Sequence, residues 1–290
     1  MRVAIIGANG QLGNDLLKAF QEETVPLTHD DIEITNPGRV DLVLGTIRPD
    51  VVINTAAFHR VEDCETEYAK AFEVNAIGAM NVARVSEKLG AALIHISTDY
   101  VFDGKKHEPY LEDDLPNPLN TYGLTKLAGE YYVRNLCSRH YVVRTSSLFG
   151  LAECRAKGGN FIDTMLRLAK EQPELRVVDD QFFAPTYTWD LTQKIKELAT
   201  RERYGIYHMA NSGQCSWYEF ATRIFELEGL HSVNIKKVSQ EEFRSKVMRP
   251  SYSVLGSKEL NALGLGPLRP WQDALEDYMA QRHQRTVLQP

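Results

Sequence analysis

A glycine-rich turn near the amino terminus constrains the fold of this 290-residue chain more than any other feature. A short apolar run predicts a strand, and the segment GANGQLG at 7–13 follows it directly. Its glycines are Gly7, Gly10 and Gly13, and the apolar residues over 11–20 then recur at the spacing of one helix face. A strand, a tight glycine turn and a helix in this order let an anion approach the backbone at the helix N-terminus. The order predicts the first unit of a doubly wound α/β fold.

Short apolar runs and longer amphipathic stretches alternate through the first half of the chain. The predicted strands cover residues 2–6, 24–27, 51–54, 92–97 and 141–144, and the predicted helices cover residues 11–20, 37–47, 67–89 and 120–136. This β-α-β-α order predicts a parallel sheet with helices on both faces. The nearly continuous apolar runs VVIN and ALIHIS are typical of strands that are buried on both sides.

After about Ser147 the alternation becomes irregular. Helical patterns over residues 162–170, 189–200 and 217–228 are separated by loops rich in Gly, Pro and Asn. We therefore predict an NAD(P)-binding Rossmann domain over residues 1–146. Residues 147–290 would form mainly a smaller substrate-binding lobe, with some segments returning to the first domain. The final segment, HQRTVLQP, is typical of a frayed tail.

The composition excludes some classes of partner and compartment. A net charge of -6 argues against nucleic acid or an anionic membrane as the main partner, because both need a cationic surface. Cys64, Cys137, Cys154 and Cys215 form no CxxC pair, which predicts free thiols in a reducing compartment. No signal-peptide pattern and no run of 18 apolar residues is present, so we expect a cytoplasmic protein without a membrane span. The oligomeric state stays open, and a homodimer is compatible with the sequence.

A second motif supplies candidate catalytic residues. Tyr122 and Lys126 stand four residues apart in YGLTK, on one face of a predicted helix. Upstream, Thr98 and Asp99 end a predicted strand, and carboxyl ends of strands face the ligand crevice in this kind of sheet. A nearby ammonium group lowers the pKa of a tyrosine, which could then give a proton to a forming alkoxide while a nicotinamide gives a hydride. Thr98 would hydrogen-bond the substrate carbonyl.

The choice between NADPH and NADH stays open at the end of the second strand. An acidic side chain there would bind the ribose 2′-hydroxyl and repel a 2′-phosphate. The stretch reads PLTHDDIEIT, with Thr28 and His29 near the strand end and Asp30 and Asp31 after them. Either aspartate is equally compatible with a solvated loop carboxylate.

These motifs, taken together, resemble the dTDP-4-dehydrorhamnose reductase family, a branch of the extended short-chain dehydrogenases/reductases. The matching segments are GANGQLG, RPDVVINTAAF, VNAIGAMNVA, HISTDYVFDG, NPLNTYGLTKLAGE, VRTSSLFG, GNFIDTMLRLAKE, DQFFAPT and YHMANSGQCSWYEFA. They span nearly the whole chain. The resemblance implies reduction of the 4-keto group of a dTDP-linked deoxysugar, with dTDP-4-dehydro-L-rhamnose becoming dTDP-L-rhamnose.

The resemblance also implies roles for individual residues. The implied catalytic residues are Thr98, Tyr122 and Lys126, supported by Asp99. The implied cofactor contacts are Gly7, Asn9, Gly10, Gln11, Leu12, Glu33, Ile34, Ala56, Ala57, Phe58, Asn75, Tyr122 and Lys126. The implied substrate contacts are His59, Val61, Thr98, Ser147, Asn160, Phe161 and Arg249. Asp15 stands where some members bind magnesium, but no complete carboxylate set accompanies it, so no metal is predicted.

Three departures from the family pattern fall where the sugar should bind. Ser147 replaces a tryptophan, His59 replaces a threonine and Phe183 replaces a glycine. They indicate either a repacked pocket or a different nucleotide sugar. His59 is equally compatible with a purely structural loop role.

Two further functions remain open at this stage. A nucleotide-sugar epimerase needs only the tyrosine and threonine, whereas a dehydratase needs a glutamate where Tyr100 stands. A non-catalytic, NADP-binding regulatory subunit similar to that of methionine adenosyltransferase is the alternative from another class.

Overall fold

Fourteen strands and twelve α-helices make up the described part of the chain. The computed structural model describes residues 1–21, 24–152, 159–243 and 246–288. The strands are β1 (Val3–Ile6), β2 (Thr24–Leu27), β3 (Val51–Asn54), β4 (Ala92–Thr98), β5 (His140–Thr145), β6 (Leu148–Phe149), β7 (Glu174–Val178), β8 (Phe182–Phe183), β9 (Thr186–Tyr187), β10 (Gly205–His208), β11 (Asn211–Ser212), β12 (Cys215–Ser216), β13 (Asn234–Val238) and β14 (Leu268–Pro270). The helices are α1 (Gln11–Phe20), α2 (Pro37–Ile47), α3 (Val61–Thr66), α4 (Tyr68–Phe72), α5 (Ala79–Leu89), α6 (Thr121–Leu136), α7 (Phe161–Glu171), α8 (Thr188–Leu198), α9 (Trp217–Leu227), α10 (Gln240–Phe243), α11 (Lys258–Ala262) and α12 (Trp271–Leu288). A π-helix (Glu73–Gly78) and a 3-10 helix (Asp99–Val101) complete the set.

Six parallel strands form the central sheet, in the order β10-β5-β4-β3-β1-β2. The chain leaves β1 for β2 on one side and then crosses to β3 on the other. A reversal of this kind opens a crevice at the carboxyl ends of the strands, where ligands bind. The arrangement confirms the predicted Rossmann-like α/β fold.

The two faces of the sheet are buried in separate hydrophobic clusters. In β1, Val3 and Ile5 pack under α1 and α8, whereas Ala4 and Ile6 pack on the opposite face under α2 and α5. This alternation follows from the two-residue period of a strand. Asp15 joins the helices of the first face, because its carboxylate accepts hydrogen bonds from Lys18 and from Thr188 on α8.

A third cluster forms beside the sheet from α7, α9, α12 and the parallel pair β7–β13. Of the later strands, β10 belongs to the central sheet, where it pairs with β5. The division of the chain at residues 146 and 147 stays a prediction. Among the described residues, no helix combines the length and apolar character needed to cross a membrane. Cys64, Cys137 and Cys215 are buried and none of them forms a disulfide within the described part of the chain, whereas Cys154 lies outside it.

Two predicted elements are wrong in their bounds. The single helix predicted over residues 67–89 begins earlier, at Val61, breaks at Glu67, and passes through the π-helix before α5. The predicted tail is helical as far as Leu288, while residues 289–290 lie outside the described part. Its helix, α12, buries an apolar face against the third cluster. The His283 ring also contacts Glu228 at 2.8 Å, which ties α12 to the end of α9 at that point.

Candidate active site

A cleft of about 830 Å³ lies at the carboxyl ends of β1, β3, β4 and β5 and is closed on its far side by α7 and α9. It brings together most of the residues singled out from the sequence. Those that line it are Gly7, Asn9, Gly10, Gln11, Leu12, Glu33, Ile34, Ala56, Ala57, His59, Val61, Thr98, Asp99, Tyr122, Lys126, Ser147, Asn160, Phe161 and Arg249. Phe58, Asn75 and Phe183 do not line it.

The glycine turn is built so that a ligand can reach the backbone. Gly7 has a φ of +82°, and a Cβ on Gly13 would lie 2.3 Å from the Gly7 carbonyl oxygen. The N-cap of α1 is Gly10, which has no side chain to occupy the first N–H groups of the helix. Free N–H groups and the positive end of the helix dipole suit a pyrophosphate. The turn therefore fits a dinucleotide.

The acidic pair after β2 does not line this cleft. Thr28, His29 and Glu33 line the cleft, but Asp30 and Asp31 do not. The Asp31 carboxylate instead accepts hydrogen bonds from the backbone N–H and the hydroxyl of Thr28, at 2.8 and 2.7 Å. Neither aspartate is therefore placed as a ribose ligand in this conformation.

Asn75 acts behind the cleft rather than in it. Its side chain accepts a hydrogen bond from Phe58 N at 2.8 Å, and donates to Phe58 O at 2.9 Å and to Thr125 Oγ1 at 3.0 Å. It is almost fully buried. Asn75 thus fixes the loop whose neighbours Ala56 and Ala57 form a wall of the cleft.

Tyr122 lies deep in the cleft beside Thr98. Burial raises the pKa of Tyr122 above its usual range, a hydrogen bond with Thr98 lowers it, and the Asp99 carboxylate raises it further. The expected lowering of this pKa by Lys126 is therefore wrong for this conformation. Burial dominates because the phenolate loses its hydration. A tyrosine of this kind is protonated at neutral pH and can serve as a proton donor.

Lys126 is buried one helical turn after Tyr122. Its Nζ donates to Ile96 O at 2.6 Å and lies 3.5 Å from His95 Nε2. Burial lowers the pKa of Lys126 to about 8, although the Glu130 carboxylate raises it. The amine therefore still carries its charge at neutral pH in most molecules.

Asp99 is the centre of a group of hydroxyls. Its carboxylate accepts hydrogen bonds from Ser146 at 2.8 Å, Ser253 at 2.6 Å and Thr98 at 3.1 Å. Burial raises the pKa of Asp99 to about 6, and these three hydrogen bonds oppose the shift. The group fixes the Thr98 hydroxyl, which also accepts from Tyr100 N at 3.2 Å.

The three departures from the family pattern have different surroundings. Ser147 lines the cleft in a left-handed conformation with a φ of +39°. The His59 ring lies 3.4 Å from Ala57 O. Phe183 is buried and packs against Trp217, with ring centroids 3.9 Å apart and the ring planes tilted by 32°. Phe183 therefore does not line the cleft itself. It can change the shape of the cleft only through Trp217, which does line it.

Several lining residues were missed from the sequence. Trp217 and Phe220 belong to the far wall, where Trp217 packs on Phe161 at 4.6 Å between centroids. Both residues lie in the segment YHMANSGQCSWYEFA, which resembles the family pattern, but nothing in the sequence assigned them to the cleft, because α9 is distant in the chain from the other site motifs. Thr145 also lines the cleft, and its place at the carboxyl end of β5 was a usable signal.

Arg249 reaches the cleft from a loop of the later half of the chain. It pairs with Glu62 of α3 across the cleft mouth and hydrogen-bonds with Tyr100. Tyr100 occupies the place where a dehydratase would carry a glutamate.

Comparisons with known proteins agree with this geometry. A family model described as the RmlD substrate binding domain matches residues 1–284. The spore coat polysaccharide biosynthesis protein SpsK of Bacillus subtilis (strain 168) is 43% identical over 97% of this chain and 98% of its own length. A dTDP-4-keto-6-deoxy-D-glucose reductase of Streptomyces niveus is 37% identical over 94% of this chain and 95% of its own.

A solved structure is similar over the same extent. It is a dTDP-4-dehydrorhamnose reductase from Bacillus anthracis str. Ames in complex with NADP, 42% identical, with a TM-score of 0.91. The likeness covers 97% of this chain and 99% of that one. These matches confirm the family resemblance of the motifs, and the chain belongs to the RmlD family of NAD(P)-dependent nucleotide-sugar reductases.

Proposed function

We propose that this protein reduces the 4-keto group of a dTDP-linked 6-deoxysugar, and that its substrate is dTDP-4-dehydro-L-rhamnose, which becomes dTDP-L-rhamnose. The observation that carries the proposal is Tyr122, which lines the cleft beside Thr98 at the carboxyl end of β4 and whose raised pKa keeps it protonated. The names of the relatives support the same class of substrate.

The cofactor site would run from the glycine turn to the catalytic residues. Gly7, Asn9, Gly10, Gln11 and Leu12 would bind the pyrophosphate. Glu33 and Ile34 would contact the adenine end of the cofactor. Ala56, Ala57, Tyr122 and Lys126 would contact its nicotinamide end, and Phe58 and Asn75 would act by positioning the loop after β3. When bound, the reduced nicotinamide supplies the hydride.

The chain's own residues would then handle the proton and the charge. Thr98 and Tyr122 orient the keto oxygen, and the Tyr122 hydroxyl gives its proton to that oxygen as alkoxide character develops. The phenolate that remains would be stabilised by the positive charge of Lys126. Asp99 holds the Thr98 hydroxyl in place.

Simple reduction fits the site better than dehydration does. A dehydratase needs a base beside the sugar ring. Burial is the main cause that raises the pKa of Tyr100 to about 12, so Tyr100 cannot serve as that base near neutral pH.

The nucleotide sugar would be bound on the other side of the cleft. The proposed substrate contacts are His59, Val61, Ser147, Asn160, Phe161 and Arg249. Arg249 carries the positive charge that a diphosphate requires.

The test is turnover with a defined substrate. The protein is mixed with NADPH or NADH and with enzymatically made dTDP-4-dehydro-L-rhamnose, and loss of reduced-nicotinamide absorbance is followed. Tyr122→Phe should lower kcat by about 10²–10⁴-fold, since it removes the proton donor. Its dissociation constant for NADPH should stay within about twofold, because phenylalanine keeps the ring that would contact the cofactor and lacks only the hydroxyl that transfers the proton.

Tyr131→Phe is the matched control, because Tyr131 is half-exposed on the same helix and outside the cleft. It should behave as the wild type. Equal activity of Tyr122→Phe and wild type would refute the mechanism. NADPH binding without turnover of any dTDP-4-keto-sugar would refute the substrate and favour the non-catalytic alternative.

A further inference from the structure

The cleft offers few cationic side chains for the diphosphate of a nucleotide sugar. Among the residues that the structure describes, the lysine and arginine side chains that line it are those of Lys126 and Arg249. Lys126 is buried and donates to Ile96 O at 2.6 Å, so its charge serves the reacting end of the cleft, beside Tyr122. A guanidinium suits a diphosphate because it can donate two parallel hydrogen bonds. Of the described residues, Arg249 is therefore the cation placed to meet the diphosphate of the substrate.

The guanidinium of Arg249 is bound to a carboxylate of the protein itself. Its Nη2 donates to Glu62 Oε1 of α3, and Glu62 also lines the cleft. The side chain of Glu62 is 60% exposed and that of Arg249 is 20% exposed. A carboxylate oxygen and a phosphate oxygen accept the same kind of charge-assisted hydrogen bond from a guanidinium. Glu62 and a diphosphate would therefore compete for one group.

The backbone around Arg249 is fixed on both sides of this contact. Asn120, the N-cap of α6, donates to Met248 O at 2.9 Å, and Gln240 donates to Arg249 O at 3.4 Å. The guanidinium also hydrogen-bonds with Tyr100. Arg249 can therefore exchange one anion for another while its own backbone stays in place, because only the exposed side chain of Glu62 has to move.

We propose that the Glu62 carboxylate holds the guanidinium of Arg249 until the diphosphate of the substrate displaces it, so that Glu62 sets how strongly a diphosphate binds. This inference rests on the nucleotide-sugar substrate proposed above. A diphosphate carries more negative charge than one carboxylate and therefore wins the exchange. Water solvates the displaced Glu62, so the loss of the ion pair costs little. The pair lowers the affinity for a diphosphate moderately and withholds the guanidinium from weaker anions.

The test measures the dissociation constant for dTDP by calorimetry, in the wild type and in Glu62→Gln. Glutamine keeps the size of the side chain and removes its charge, so dTDP no longer has a charged competitor for the guanidinium. We expect about two- to fivefold tighter binding of dTDP, the usual worth of a partly exposed ion pair. The dissociation constant for NADPH should not change, because its pyrophosphate would lie at the glycine turn.

A second background separates competition for Arg249 from general repulsion by a negative charge. Arg249→Gln should weaken dTDP binding by about tenfold or more, because it removes a charge-assisted hydrogen bond. Adding Glu62→Gln to this variant should bring no further gain, since the group for which Glu62 competes is gone.

Glu67→Gln is the matched control. Glu67 follows α3 directly, is half-exposed and pairs with Lys70, but it does not line the cleft. Its replacement removes the same charge from the same part of the chain. This variant should bind dTDP as the wild type does.

Four results would overturn the proposal. They are unchanged or weaker dTDP binding in Glu62→Gln, an equal change in its affinity for NADPH, an equal gain in the Arg249→Gln background, and an equal gain in Glu67→Gln. The proposed substrate can fail separately, since a protein that gives the expected pattern with dTDP but reduces no dTDP-4-keto-sugar would leave the role of Glu62 supported.

Discussion

At the scale of single residues, Asp99 illustrates how burial and hydrogen bonding oppose each other. Three hydroxyls donate to its carboxylate, yet the pKa of Asp99 is raised to about 6, because burial outweighs them. The proton is therefore held more tightly in the folded protein than in the unfolded chain, where the usual value is 3.8.

This shift predicts a pH dependence of stability. Below about pH 4 both states bind the proton. Between about pH 4 and 6 the folded state binds more protons, so stability falls as the pH rises, by about 3 kcal/mol in all. Asp99→Asn cannot ionise, so the stability difference between wild type and variant should change across this window. Urea unfolding at several pH values measures it, and parallel curves for the two proteins would contradict the prediction.

The residues that the sequence reveals here are those in short motifs. Tyr122 and Lys126 are visible because one helix turn separates them, and Thr98 because it ends a strand. No comparable local spacing assigns Trp217 to the cleft, because only the packing of α9 against α7 brings it there. The direction of the Tyr122 pKa shift also required the structure, because it depends on the depth of burial.

At the scale of elements, the π-helix decides where Asn75 points. Its wider turn interrupts the helix that the periodicity predicted as continuous, and π-turns are frequent near functional sites. The neighbouring helix α6 approaches closely there, since a Cβ on Gly129 would lie 2.4 Å from Asn75 O. The arrangement joins the catalytic helix to the loop at Phe58.

Removal of the Asn75 side chain should therefore affect both stability and the cofactor site. Asn75→Ala leaves Phe58 N–H without its partner and removes one hydrogen bond each from Phe58 C=O and Thr125, which should cost about 2–4 kcal/mol in the free energy of unfolding. NADPH binding should weaken as well, because the loop after β3 loses its anchor. Denaturant unfolding and calorimetry measure the two effects.

The exposed Asn135 on α6 offers a control for this variant. Its side chain donates only to the Tyr131 carbonyl of its own helix, at 2.7 Å. Asn135→Ala should change stability by less than about 0.5 kcal/mol, as is usual at the surface. An Asn75 variant as stable as the Asn135 variant would show that the anchor is unimportant.

At the scale of the whole molecule, a buried ion pair connects the sheet to the catalytic helix. Arg144 of β5 donates to Glu130 of α6 from Nε and Nη2, at 3.0 and 2.7 Å, and both side chains are almost wholly inaccessible to solvent. Ser97 of β4 donates to Glu130, and His208 of β10 lies 3.4 Å from Arg144. The pair therefore joins three adjacent strands with the helix of Tyr122.

Breaking this pair should be more harmful than replacing it. Arg144→Leu leaves the Glu130 carboxylate buried without its partner and should cost about 3–5 kcal/mol. The double variant Arg144→Leu, Glu130→Met should recover more than half of that loss, since two apolar side chains can pack where the charges were. Urea midpoints of wild type, single and double variants measure this. A double variant less stable than Arg144→Leu would contradict the expectation.

The sequence by itself determined the doubly wound fold, the glycine turn and the positions of Thr98, Tyr122 and Lys126. These features depend on local spacing, on turn chemistry and on the rule that strand ends carry the site. Only the tertiary structure decided the far wall at Trp217, the place of Asn75 behind the cleft and the helical end of the chain. Those features arise from contacts between residues far apart in sequence, and burial, which sets both packing and pKa, exists only once the chain has folded.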